Sequence, residues 1–201
     1  MLMLNGNLFN IDCNAICIPT NGYVTSSGSL VMGAGVARQA ADRWPALPEL
    51  LGQRVYQLGN AVHLITTKGP RYQFEDSAFL GTGETPYHIV SFPTKPSRIN
   101  IGTPEDVDKV LARYRPEAET LLRAPRSVTR DVKYLPGWKA KSDIALIKHS
   151  AEELVELTNT QGWKKVCLPR VGCGAGEMDW HEVYDLLKEH LDNRFIIVHN
   201  R

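Results

Sequence analysis

The sequence has few cysteines, no long apolar run and almost no net charge. Four cysteines occur among 201 residues and none forms a C-x-x-C pair, so neither a zinc knuckle nor a disulfide scaffold is expected. The apolar runs are far shorter than the roughly 20 residues that cross a bilayer. The opening residues, MLMLNGNLFNID, lack the basic start of a signal peptide. We therefore expect a cytoplasmic protein without membrane contact.

Charge is balanced overall, with 23 basic and 22 acidic residues, so no global field favours a nucleic acid or a membrane. One region departs from this balance: between Lys109 and Lys141, nine Lys and Arg residues stand against three acids. A solvated basic surface and a contact with a polyanion both explain it. We expect residues 1–201 to form a single domain with a basic, partly helical insertion at about 103–141.

Short apolar runs alternate with helical patterns along most of the chain, which predicts an α/β sandwich. Because the apolar runs are continuous, we expect a sheet covered on both faces. The predicted strands are 14–20, 60–66, 87–92, 165–168 and 194–199. The predicted helices are 32–44, ended by Pro45; 107–114; one capped by Ser142 and ended at Gln161-Gly162; and 179–191. Residues 68–86 are predicted to be a long loop.

Two glycine-rich stretches each lie between a predicted strand and a predicted helix. We call residues 33–36 (GAGV) the first corner and residues 172–176 (GCGAG) the second corner. Glycine permits close approach to the backbone, and amides at a helix start form an anion site. Neither corner fits a known nucleotide fingerprint: no G-x-x-x-x-G-K-[ST] run occurs, and Arg38 and Glu177 replace the third Rossmann glycine. Two such corners at one sheet edge predict a diphosphate site.

Five segments together resemble the macrodomain family, whose members bind ADP-ribose. They are AICIPTN (15–21), MGAGVA (32–37), FPTK (92–95), PRVGCG (169–174) and MDW (178–180). The pattern is most similar to the branch that contains protein terminal ADP-ribose glycohydrolases and the antitoxin macrodomains that remove ADP-ribose from DNA. The resemblance implies a three-layer α/β/α sandwich with a central mixed, mostly parallel sheet. It implies binding of ADP-ribose or an ADP-ribosylated macromolecule, with no cofactor.

The resemblance also assigns ligand contacts. Leu8 is expected near the adenine and Asn21 at the distal ribose. Asn14 stands where the family has an aspartate for the adenine amine, and Asp12, two residues earlier on the same predicted strand face, is expected to substitute for it. The expected contacts at the phosphates and distal ribose are Gly33, Ala34, Gly35 and Val36 in the first corner, and Gly172, Cys173, Gly174, Ala175 and Gly176 in the second.

Two residues are candidates for catalysis at the distal ribose, where cleavage passes through an oxocarbenium-like state. Lys95 follows a strand end within FPTK, and Lys68 is its alternative. Glu177, beside the second corner, is a candidate general base, whereas Asp179 is expected to cap the last helix. Cys173 sits near a helix start, which would lower its thiol pKa. The histidines show no i, i+4 pairing that suggests a metal.

Three functions fit this pattern. A hydrolase would remove ADP-ribose from a modified protein or nucleic acid, a phosphatase would act on ADP-ribose 1″-phosphate, and a reader would bind ADP-ribose without turnover. Lys95 favours the first. The glycine at position 176, where the protein glycohydrolase has an acid, favours the reader. The basic insertion favours contact with a nucleic acid through phosphate charges.

Overall fold

The computed structural model describes residues 1–66, 88–100 and 134–199. Its strands are β1 (Leu2–Asn5), β2 (Ala15–Asn21), β3 (Leu64–Thr66), β4 (His88–Lys95), β5 (Arg98–Asn100), β6 (Tyr134–Pro136), β7 (Val166–Pro169) and β8 (Phe195–His199). Its α-helices are α1 (Gly35–Arg43), α2 (Leu47–Leu58), α3 (Ile144–Gln161) and α4 (Trp180–His190). Two short 3-10 helices are Leu8–Asn10 and Gly137–Lys139.

The main sheet has six strands in the order β1-β8-β7-β2-β4-β3. All neighbours are parallel except β3, which pairs antiparallel with β4. The predicted mixed, mostly parallel sheet is therefore confirmed. Because β7, β2 and β4 run in one direction, their last residues meet at one edge, which we call the carboxyl edge. Ligands of open α/β sheets bind outside this edge.

Helices cover both faces of the sheet, so the predicted three-layer α/β/α sandwich is also confirmed. Successive residues of β2 alternate between the two cores. Ile16 and Ile18 pack with buried residues of α1 and α2, while Ala15 and Cys17 pack with those of α3 and α4. All four are fully buried, which explains the continuous apolar run.

The ends of α3 agree only in part with the prediction. Ser142 does not cap this helix; Asp143 does, since its Oδ1 accepts hydrogen bonds from the amides of Ala145 and Leu146 at 2.9 and 3.3 Å. A carboxylate at this position also gains from the helix dipole. The predicted end is confirmed: Gly162 terminates α3 in the left-handed region at φ 66°.

A second helix follows where the sequence predicted only the end of the first. α1 ends at Arg43, before Pro45 as expected, but the chain turns at once into α2. Pro48 lies in the first turn of α2, where a missing amide costs nothing. The buried positions Leu47, Leu51 and Val55 repeat every four residues. The sequence shows this four-residue period, but the predicted elements include neither α2 nor the edge strand β1.

A small second sheet pairs β5 with β6 in antiparallel register, with Asn100 opposite Tyr134. Residues 101–133, which hold the predicted helix 107–114 and most of the basic insertion, lie outside the described residues. So does the predicted loop 68–86 with Lys68. Among the helices described, none is long and apolar enough to span a membrane.

Candidate functional site

The carboxyl edge brings together the ends of β2 and β4. Asn21, the last residue of β2, is in register with Lys95, the last residue of β4. On the other side of β2, β7 runs parallel and ends at Pro169, three residues before the second corner. Two features of the sequence pattern, the terminal asparagine of AICIPTN and the lysine of FPTK, are thus one strand spacing apart, about 5 Å.

Asn21 anchors the segment that leads to the first corner. Its Nδ2 donates to the carbonyl of Val31 at 2.7 Å, and its Oδ1 accepts from the amide of Tyr23 at 2.9 Å. The residue is buried, with 9% of its surface exposed. Its amide group therefore holds residues 23 and 31 together, a structural role that the resemblance did not imply.

The first corner presents backbone amides at the start of a helix. Ala34, the N-cap of α1, is extended and no side chain caps the helix. The first backbone bond of α1 runs from the amide of Arg38 to Ala34 O at 3.1 Å, and no acceptor among the described residues faces the amides of Gly35 and Val36. A Cβ on Gly33 would meet no atom of the described residues within 4 Å. This corner is open, as an anion site requires.

The second corner is packed against the protein. Gly172 has φ 78°, and a Cβ there would approach Ile147 Cδ1 to 2.8 Å. A Cβ on Gly176 would collide with Ser142 Oγ and with the carbonyl oxygen of Gly172. Only Gly174 has open space around it. We expected the glycines to make room for a ligand; at 172 and 176 the protein's own packing already requires them.

Lys95 reaches into the second corner from β4. Its Nζ donates to the carbonyl of Ala175 at 2.8 Å and to that of Trp138 at 3.3 Å. The side chain is buried, with 8% exposed, and Asn60 Nδ2 donates to its carbonyl at 3.0 Å. The ammonium thus links the second corner to the short 3-10 helix at 137–139. Because the acceptor at 138 is a main-chain carbonyl, no sequence signal pointed to Trp138.

Glu177 lies next to the second corner in a conformation uncommon for a side chain other than glycine, with φ 59°. Its amide donates to Gly174 O at 3.1 Å. Its carboxylate lies 3.5 Å from Lys141 Nζ, and both side chains are more than a third exposed. Asp179 caps α4 through the amides of His181 and Glu182, as predicted.

Cys173 does not have the lowered pKa that its place near a helix start suggested. Burial raises the pKa of its thiol to about 11; Arg170 opposes this increase and Asp179 adds to it. Its Sγ donates to the carbonyl of Val171 at 3.3 Å. The thiol is therefore protonated at neutral pH. None of the four cysteines, all of which lie in the described ranges, forms a disulfide, and burial raises the pKa of Cys17 too.

The residues expected at the adenine are divided between opposite edges of the sheet. Leu8 is buried in the 3-10 helix that follows β1, on the side of the carboxyl edge. Asn14 lies at the other end of β2, where its Oδ1 accepts from the amides of Lys164 and Lys165, both at 2.9 Å. Asp12 is exposed and precedes β2, so the expectation that Asp12 and Asn14 share one face of a strand is wrong. Neither Asp12 nor Asn14 lies with the corners.

Within the three described ranges, no group of three or more His, Cys, Asp or Glu side chains is arranged to hold a metal ion.

A mostly parallel six-stranded sheet between two helical layers, with glycine corners at its carboxyl edge, is the macrodomain fold. The macrodomain of Mycobacterium tuberculosis DarG is similar with TM-score 0.61 at 17% identity, covering 100% of this chain and 97% of that chain. The macrodomain of Thermus aquaticus DarG gives 0.62 at 17%, with the same coverage. Thermosipho africanus DarTG, solved in complex with ADP-ribose, gives 0.62 at 17%, covering 98% of this chain and 41% of that chain.

No protein-family model matches the sequence, and no curated protein matches it. The macrodomain fold was predicted from five short segments, and the structural likeness confirms that prediction.

Proposed function

We propose that this protein binds ADP-ribose at the carboxyl edge, with the diphosphate between the two corners. The observation that carries the proposal is that the two corners follow β2 and β7, which are neighbouring strands of one sheet. The amides of Gly35 and Val36 in the first corner have no partner among the described residues, and Lys95 holds the second corner. Backbone amides at a helix start bind phosphate oxygens, and Lys95 holds the backbone of the second corner through Ala175 O. The presence of ADP-ribose in the similar DarTG structure supports the same ligand here.

We further propose that the protein is a hydrolase that releases ADP-ribose from a modified macromolecule. Water would add at C1″ of the distal ribose while the bond to the leaving group breaks and the leaving group takes up a proton. Lys95 lies at the end of β4 with its ammonium in the second corner, so it is placed to stabilise the negative charge that develops there. Glu177, 37% exposed, is the nearby carboxylate we assign to activation of the water.

The surface beside Lys95 favours a nucleic-acid substrate over a protein. The guanidinium of Arg98 lies 4.8 Å from the centre of the Tyr134 ring, and Lys139 Nζ lies 5.1 Å from that of Trp138. Tyr134 and Trp138 are 42% and 39% exposed. Exposed rings with cations suit bases and phosphates together. The excess of Lys and Arg in the sequence of residues 109–133 favours the same class of substrate.

A reader without turnover is the second candidate. Glu177 is paired with Lys141, and no other acid of the described chain lies within the second corner. A phosphatase acting on ADP-ribose 1″-phosphate is the third, since it would use the same diphosphate site.

Calorimetry with ADP-ribose, AMP and adenosine tests the binding site. We expect affinity to fall in that order, because each step removes groups that the corners bind. Equal affinity for ADP-ribose and adenosine would contradict a diphosphate site.

Incubation with ADP-ribosylated single-stranded DNA, ADP-ribosylated protein and ADP-ribose 1″-phosphate then separates the functions. Release of ADP-ribose from the DNA supports a hydrolase that acts on nucleic acid. Release of ADP-ribose from the protein alone indicates a hydrolase whose substrate is a protein. Release of phosphate alone supports the phosphatase. Binding without release leaves the reader.

A further inference from the structure

Lys95 contacts the second corner through a carbonyl oxygen. In a trans peptide the C=O of one residue and the N–H of the next point in opposite directions. The described chain has no cis peptide bond. Because Ala175 O accepts from Lys95 Nζ at 2.8 Å, the amide of Gly176 points away from Lys95.

The adjoining peptide is fixed as well. Gly176 O accepts from the amide of Ser142 at 2.9 Å, and the amide of Glu177 donates to Gly174 O at 3.1 Å. Asp143, which follows Ser142, donates its amide to the carbonyl of Thr94 at 2.9 Å, and Thr94 is the residue before Lys95. The ends of β4, the second corner and the start of α3 thus form a closed ring of hydrogen bonds. Within the described chain, no acceptor faces the Gly176 amide.

We propose that Lys95 is a positioning residue for ligand binding: by holding Ala175 O, it turns the Gly176 amide toward the diphosphate. The inference rests on the proposed function and deepens it. A charged donor on the carbonyl also polarises the peptide, which makes its amide a stronger donor to an anion. Lys95 then contributes to affinity before any bond is broken, in addition to its place near the reacting bond.

The test compares Lys95→Met, which keeps the length and loses the donor, with Lys95→Arg, which keeps a charged donor. The first measurement is the amide cross-peak of Gly176 in spectra of the ligand-free protein. We expect a shift in Lys95→Met and a return toward the wild-type position in Lys95→Arg. A Gly176 cross-peak unchanged in Lys95→Met overturns the proposal. Lys148→Met, an exposed lysine on α3, serves as the control.

The second measurement separates peptide orientation from simple charge attraction. Losing one hydrogen bond to a charged group corresponds to roughly tenfold to hundredfold weaker binding, so we expect that loss of ADP-ribose affinity in Lys95→Met. The difference should persist in 1 M salt, where the Debye length is about 3 Å and long-range attraction is screened. A difference that disappears at high salt overturns the proposal in favour of charge alone.

The two measurements also distinguish the failure of this inference from failure of the proposed function. If the wild-type protein does not bind ADP-ribose, the proposed function is wrong, and the Gly176 cross-peak still decides whether Lys95 orients the peptide. If Lys95→Met does not fold, the smaller change Lys95→Arg is read alone. In that case ADP-ribose affinity within a few fold of wild type supports the proposal, and a hundredfold loss with an unmoved Gly176 cross-peak contradicts it.

Discussion

Both corners are rich in glycine, but the surroundings of their glycines differ. In the first corner, no described atom lies near the position of a Cβ on Gly33, and the amides of Gly35 and Val36 lack partners among the described residues. In the second, Gly172 and Gly176 are crowded by Ile147 and Ser142. The missing side chain therefore leaves open space at Gly33, whereas at 172 and 176 the protein's own packing requires it. Substitutions at the two corners should separate these roles.

The largest difference is expected in the reactivity of Cys173. Because burial raises the pKa of its thiol from 9.0 to about 11, the thiolate fraction near neutral pH is about a hundredth of that of a cysteine with the ordinary pKa. Alkylation by iodoacetamide should therefore be about a hundredfold slower than for an exposed peptide thiol, rising as the pH approaches 11. Fast alkylation at pH 7 in the folded protein would show that the second corner is not packed as described.

Gly176→Ala should destabilise the fold strongly, since the added methyl group would overlap Ser142 Oγ and Gly172 O. Overpacking of this kind costs about 1–3 kcal/mol of the free energy of unfolding, measured by urea denaturation. Gly174→Ala is the matched control, because its Cβ would meet nothing within 4 Å, and it should change stability by less than about 0.5 kcal/mol. Equal effects of the two substitutions would remove the contrast between crowded and open glycines.

Asn21→Ala should cost about 1–2 kcal/mol, because it leaves the Val31 carbonyl and the Tyr23 amide without their side-chain partner. ADP-ribose affinity should also fall, since the segment that carries the first corner loses its anchor. Asn21→Asp keeps the acceptor for Tyr23 but places a buried carboxylate oxygen against the Val31 carbonyl, so its stability should also lie below that of wild type. Unchanged affinity in both variants would contradict the anchoring role.

Gly33→Asp should weaken ADP-ribose binding about tenfold while leaving stability nearly unchanged. The side chain enters open space, and its carboxylate repels the diphosphate. Gly33→Asn, similar in shape but neutral, is the control and should lose less affinity in calorimetry. The same loss in both variants would indicate steric exclusion instead of charge.

The smallest effect is expected for Glu177→Gly. Glycine adopts φ 59° without the Cβ penalty, so stability should rise by about 0.5 kcal/mol despite the lost surface ion pair with Lys141. If Glu177 activates the water, turnover should nevertheless fall. Turnover at the wild-type level would leave Glu177 with no catalytic role.

Much of the fold was predictable because its signals are local. The buried strand at 15–21, the glycine stop at 162 and the Asp179 cap each depend on a few neighbouring residues. The signal for α2 is equally local, namely a buried residue at every fourth position from Leu47 to Val55. It was not part of the prediction because Pro45 indicates the end of one helix and says nothing about the start of the next.

The site was less predictable because its decisive contacts join distant segments. Lys95 was singled out from its motif, but its acceptors at 138 and 175 are main-chain carbonyls, which any residue supplies. The crowding of Gly176 by Ser142 likewise depends on packing between α3 and the second corner. The prediction for Asp12 was wrong for a related reason. Its two-residue spacing from Asn14 suggested that both lie on one face of a strand, but β2 begins only at Ala15.

The pairing of Asn100 with Tyr134 brings the residues on either side of segment 101–133 next to each other, a few residues after Lys95 in the chain. Because the entry and exit points are fastened to each other, the length and composition of the intervening segment can change over evolution without displacing the lysine. The two paired strands thus form a fixed base on which the segment between them can be exchanged.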